Sequence, residues 1–253
     1  MQRRALSALC VAALLVTAGC AGLGGSGDDG ADGQSRAAQI ATDSGEAMQD
    51  VETYQMDVEM EVSANGQTLT MTQRGVYNRT AERARIDMTV RGTEAVSYMD
   101  GTTMYVKTNG MWQTRDVADQ EPWESGSGLA RQQEMLGTGE VSVTGSATVD
   151  GVATTVLTLE PDPEELKQFL AGQGSSGSLD DASIDDVTYE LYVANETDRP
   201  RKVEMEMEMT IQGQSATADA TIAFSNYGEP VTVEIPEDAP TASVSPVRPT
   251  AAA

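Results

Sequence analysis

Two aspartate pairs, Asp180-Asp181 and Asp185-Asp186, are the residues whose type and spacing first suggest chemistry. Neighbouring carboxylates serve glycoside hydrolysis as acid and base, or hold a calcium ion among oxygen ligands. Neither reading finds its remaining parts. The pairs fall in the polar stretch "QGSSGSLDDASIDD", which lacks an EF-hand pattern, and among 40 acidic residues adjacent pairs arise by chance. The chain has no histidine. That removes the commonest general base, the commonest transition-metal ligand and the imidazole of any Ser-His-Asp or Cys-His arrangement. The expectation is a protein that is not an enzyme and uses no metal and no cofactor.

What chemistry remains belongs to a thiol. Arg3 and Arg4 precede an apolar run, residues 5–18, that is too short for a permanent membrane helix and reads as a signal peptide over residues 1–19. The small residues Thr17, Ala18 and Gly19 before Cys20 resemble a lipobox, which makes Cys20 a lipid-attachment site. The paired arginines also fit a twin-arginine export signal, although Gln2 is not its usual preceding residue, so both export routes stay open. Cys10 leaves with the signal and Cys20 is acylated. The mature chain then has no free thiol and no disulfide, and its stability comes from packing alone. Residues 20–34, rich in Gly, Ser, Ala and Asp, are expected to be a lipid-anchored flexible tether. Asn78-Arg79-Thr80 and Asn195-Glu196-Thr197 match the glycosylation acceptor pattern at Asn78 and Asn195, in keeping with an extracytoplasmic address on the outer face of the cell membrane.

The formal charge of −24 becomes −26 once Arg3 and Arg4 depart. A surface this acidic repels nucleic acid and anionic headgroups, which excludes DNA binding and a polybasic membrane patch. Its self-repulsion is screened where the Debye length falls to about 3 Å, near 1 M salt. Few lysines beside abundant Asp, Glu, Ala, Thr and Gly suggest a halophilic archaeon; an acidic mesophilic lipoprotein is the plainer alternative.

The elements that position these residues follow from periodicity. Ala37, Ile40, Ser44, Ala47, Met48 and Val51 recur at helical steps, predicting a short helix over residues 35–51. "YQMDVEMEVS" then alternates strictly, as a half-buried strand does, and Asn65-Gly66 is a strong hairpin signal. Alternation continues through "TLTMTQRGVYN", "RARIDMTV", "EAVSYMD" and "TMYVKT", a meander of hairpins. It breaks after Trp112, Pro122 marks a loop, a short helix is expected around residues 129–136, and strands resume from Gly139, folded back at Asp150-Gly151. "PDPEELKQFLAG" reads as a helix capped by Asp162 with Pro163 at its first position. Three closing strands and an edge piece at residues 231–235 precede a Pro/Ala/Thr tail, residues 237–253, expected to be disordered. The sum is about ten strands and three short helices in one domain, residues 35–236: mainly β with a few helices (α+β).

The order of "AMQDVETYQMDVEMEV", "VSYMDGTTMYVKTNGMWQT", a helical interruption, "VTYELYVANETDRPRKVEMEMEM" and "FSNYGEPVTVEIPED" resembles the lipoprotein-carrier superfamily of LolA, LolB, LppX and LprG. The resemblance implies a single curved antiparallel sheet, a half-barrel, covered by short helices around an apolar cavity for acyl chains. On that picture Met56, Val58, Met60, Met71, Met88, Met205, Met207 and Met209 face inward as ligand-binding residues. Flexible methionines suit ligands of irregular shape, and they also fill gaps in a dry core; both readings stay open. The chain departs from the family in having only two Phe and two Trp, which implies a shallow or collapsed cavity. Two functions follow: a lipoprotein that carries a lipid or other hydrophobic ligand, with the membrane and that ligand as partners, or a non-enzymatic cell-envelope interaction module without an open cavity. In the second, Trp112 and Trp123 are candidate anchors for an envelope protein.

Overall fold

The computed structural model describes residues 29–124, 127–170, 182–211 and 213–240. Cys20, the tether up to residue 28, the Asp180-Asp181 pair and the tail beyond residue 240 lie outside them. The chain runs α1 (Asp29–Gln49), β1 (Thr53–Ala64), β2 (Gln67–Asn78), β3 (Arg83–Val90), β4 (Thr93–Asp100), β5 (Thr103–Thr108), β6 (Met111–Asp116), a 3-10 turn (Ala118–Gln120), α2 (Gly128–Leu136), β7 (Gly139–Val149), β8 (Val152–Pro161), α3 (Pro163–Leu170), β9 (Ala182–Ala194), β10 (Pro200–Ile211) and β11 (Gln214–Ser225).

All eleven strands form one curved antiparallel sheet in the order β6-β5-β4-β3-β2-β1-β11-β10-β9-β8-β7. Two meanders, β1 to β6 and β7 to β11, thus meet along a seam between β1 and β11, where Met56 stands opposite Phe224 and Met60 opposite Ala220. Hairpin chemistry sets the local register. Asn65 and Gly66 have φ of 55° and 72°, the mirror-image turn whose twist matches right-twisted strands. Arg91-Gly92 makes the same kind of turn with φ of 51° and 75°.

The helices lie on one face. α1 packs on β7 and α2, turning Ala37, Ser44 and Met48 inward. Ser127 caps α2 by accepting a 3.2 Å hydrogen bond from the Ala130 amide. Asp162 caps α3 as its sequence predicts, its Oδ1 accepting from the Glu164 and Glu165 amides at 2.9 and 3.2 Å. The main core joins helix residues Met48, Leu129, Met135, Leu136 and Leu166 to sheet residues including Tyr54, Met56, Leu157, Leu191, Val203 and Phe224. Among these, Tyr54 and Tyr77 stack across β1 and β2 with ring centroids 4.6 Å apart.

Three expectations change. α1 has 21 residues and begins at Asp29, so residues 29–34 are helical where a tether was expected; the helix continues before the buried Ala37 through residues 33–36, which are exposed. β6 is a full strand although its polar sequence lacks alternation. Residues 231–235 form no strand: the chain after β11 is an extended strap across the outer face. Thr53 Oγ1 donates to the Glu229 carbonyl at 2.8 Å, and Asn78 Nδ2 donates to the Val231 carbonyl at 2.9 Å. Val233 then packs on Tyr98 and Tyr105. At the far end Asp238 Oδ2 accepts from Lys107 Nζ at 2.6 Å and from Trp112 Nε1 at 3.1 Å.

Candidate functional site

The register places all eight expected ligand-binding residues on the helix-covered face. One cross-strand row reads Val90, Met71, Met60, Ala220, Met205, Tyr189, Leu159, Val141, from β3 through β2, β1, β11, β10, β9 and β8 to β7. At about 4.8 Å between strands this apolar belt is about 34 Å long. A second row sets Val62, Ala218, Met207 and Val187 side by side, and a third Ala64, Ala216, Met209 and Ile184.

Cover over the belt is uneven. Tyr189 and Leu159 are buried where α2 and α3 lie, and Leu166 of α3 is 1% exposed. Met56 belongs to the main core, and Val58 and Met205 pack at its margin. Met207 and Met209 are buried in a smaller cluster over Ala216 and Ala218. Met60, Met71 and Met88 are only half-buried and join none of the described clusters. Residues alike in the sequence thus fall in three environments: Met56 inside the core, Met207 and Met209 folded over an alanine floor, and an open corner at Met60, Met71 and Met88. The floor is visible in "SATADATIA", which puts alanine at every second position.

One polar contact crosses this interior. Tyr189 donates to Gln132 Oε1 at 2.6 Å, tying α2 to the belt; both residues are buried, and burial pushes the Tyr189 phenol well above its usual range. A buried hydrogen bond of this kind favours one docking position for the helix. Neither residue stands out in the sequence, since a helix glutamine and a strand tyrosine acquire their partnership only through the fold.

Outside the belt, the described one of the two aspartate pairs is engaged locally. Asp185 Oδ1 and Oδ2 accept from Ser183 and Thr210, and Asp186 lies opposite Glu208 on β10. Among the described residues, no three acids converge as a metal site. A depression of about 1130 Å³ is lined by Asp57, Arg74, Asp87, Glu94 and Lys107, but it lies on the opposite, polar face and follows the saddle of a twisted sheet. Trp112 is engaged by the strap, and Trp123 donates to the Gly101 carbonyl at 2.7 Å while packing on the main core.

Residues 154–244 match a family described as of unknown function, DUF6612, a span that takes in most of β8, β9 to β11 and the strap. Among curated proteins none matches the chain. Solved structures give the fold. The lipoprotein LppX of Mycobacterium tuberculosis aligns over 79% of this chain and 99% of its own at 12% identity, with a TM-score of 0.54. LprF of Mycobacterium bovis aligns over 80% of this chain and 97% of its own at 18% identity, with a TM-score of 0.53. The half-barrel that the family resemblance implies is the fold of this chain, and it is shared with LppX and LprF.

Proposed function

We propose that this protein is an extracytoplasmic lipoprotein, held by an acylated Cys20 at the outer face of the cell membrane, that binds a lipid or other hydrophobic ligand on its methionine belt. It is not an enzyme, and Asn78 and Asn195 are its candidate glycosylation sites. The observation that carries the reading is the open corner: Met60 and Met71 are directly paired on β1 and β2, half-buried, and continuous with an apolar belt that runs on under the helices. A sheet face this apolar needs a cover, and flexible thioether side chains adapt to a chain-like ligand. The lipobox-like Cys20 and a fold shared with a lipoprotein support the anchored address. The acidic composition supports a salt-loving archaeal source.

Native mass spectrometry on a secreted Cys20→Ser chain, purified without detergent in high salt, tests the binding. A co-purifying lipid in stoichiometric amount, lost from a Met60→Asp/Met71→Asp variant that stays folded, is the expected result. A clean apo mass with no uptake of added lipid overturns it and leaves an envelope module whose partner is a protein.

A further inference from the structure

In the sequence the two glycosylation tripeptides are alike; in the folded chain they are not. Asn78 is half-buried at the end of β2, and both ends of its amide are used. Its Nδ2 donates to the Val231 carbonyl of the strap at 2.9 Å, and its Oδ1 accepts from the Ala81 amide at 2.9 Å. The middle residue of that tripeptide is committed as well: Arg79 Nη1 donates to the carbonyls of Met48, Gln49 and Val51 at the end of α1. Asn195 sits instead in the turn between β9 and β10, exposed with Glu196 and Thr197. Its Oδ1 accepts from Thr155 Oγ1 at 2.9 Å, which orients the side chain while its Nδ2 has no partner among the described residues.

We infer that Asn195 is the glycan acceptor of the folded protein and that Asn78 is a structural residue whose modification requires the strap to be displaced. The inference rests on the extracytoplasmic address proposed above. The donor is an oligosaccharide linked through its anomeric carbon to a lipid phosphate. Its C1–O bond breaks as the lipid phosphate leaves, a C1–N bond forms to Asn195 Nδ2, and the displaced amide proton passes to a base of the transferase. At Asn78 the same nitrogen lies under the strap, and the transferase would have to draw the segment from Glu229 to Asp238 off the outer face to reach it. Asn195 follows Ala194 at the end of β9, whereas Met60 of the open corner lies in the row of Tyr189, across β10 and β11 on β1. A glycan there leaves the open corner of the belt clear.

The test is site-resolved glycopeptide mass spectrometry on the full chain from a host that glycosylates its secreted proteins, with the mass of the amino-terminal peptide read alongside. Occupancy at Asn195 is expected to exceed that at Asn78 by at least about tenfold, which corresponds to about 1.4 kcal/mol of local opening. A chain ending at Glu229, which lacks the strap, is expected to gain glycan at Asn78. Equal occupancy in the intact chain, or an Asn78 that stays bare when the strap is removed, overturns the inference. Both asparagines bare in a chain that carries its lipid mass overturns it alone. Both bare in a chain that keeps its signal peptide overturns it together with the address on which it rests.

Discussion

Arg79, in the turn after β2, holds the end of α1 through Val51: its Nη1 stands 2.9 Å from the Val51 carbonyl oxygen and also reaches Met48 and Gln49 at 3.2 and 3.1 Å. The carbonyls at a helix carboxyl end have no partners within the helix and carry partial negative charge. One guanidinium nitrogen from another element reaches two of them, on Met48 and Gln49, together with the Val51 carbonyl just past the helix. Arg79→Ala is expected to cost about 1–2 kcal/mol in urea unfolding, with Arg79→Lys, a cation that can donate to the same carbonyls, recovering part of it.

Glycine tolerance separates close packing from open space. A Cβ on Gly75 would lie 2.5 Å from the Tyr77 ring, and on Gly139 only 2.0 Å from the Glu160 carbonyl oxygen. Gly75→Ala is expected to break the Tyr54–Tyr77 stack and cost about 1–3 kcal/mol. Gly139→Ala meets rigid backbone and should cost at least as much. Gly145→Ala, with nothing within 4 Å, should leave the melting temperature nearly unchanged.

The belt methionines should divide by burial. Met209→Ala removes a side chain 7% exposed and is expected to lower stability by about 2–4 kcal/mol. Met60→Thr, at a half-buried position in the open corner, should cost much less yet reduce uptake of an acyl probe such as a fluorescent fatty acid. Equal loss of stability in both variants would argue that the corner is core.

Acid should loosen the strap late. Hydrogen bonds from Lys107 and then Trp112 hold the Asp238 carboxyl below its ordinary value of 3.8. A carboxylate depressed in the folded state contributes fully above that ordinary value and loses its contribution as pH falls through the lower, folded one. Trp112 fluorescence, read in a Trp123→Phe background, should therefore hold steady through neutral and mildly acidic pH and change only below about 3.8. Asp238→Asn should abolish that step.

Salt should stabilise the outer face. Glu61, Asp219 and Glu206 stand directly opposite one another on β1, β11 and β10, and like charges so placed repel. Asp219→Asn is expected to raise the melting temperature in dilute buffer, and the gain should fade near 1 M salt, where the Debye length is about 3 Å. A gain that persists at high salt would assign the effect to strand propensity.

What the sequence made legible was local. Asn65-Gly66 and Asp162-Pro163 carry their turn and cap chemistry within a few residues, and the two-residue period put Met56, Val58 and Met60 on one side of β1. Periodicity yielded strands and helices in one mainly β domain, and the half-barrel came only with the family resemblance; the sheet order bears it out. The rest depended on contacts between distant residues. Nothing near Val233 announces that it will pack on Tyr98, and its alternating neighbours read as a strand until the outer face supplies other partners. Burial likewise sorted the methionines in ways composition does not, because Met60 and Met209 share a face and a period but only one lies in a packed cluster.

The seam between β1 and β11 has a kinetic meaning. Gln55 pairs with Ser225, so the centre of the sheet joins the beginning and the end of the folded chain. Each meander can zip locally as hairpins while the chain is being made, but closing so long a loop is the slow and entropically costly step. The half-barrel is therefore unfinished until its last strand emerges. Up to that moment the chain is a pair of half-sheets, each with a bare central edge, and folding timed after synthesis is a property of its topology.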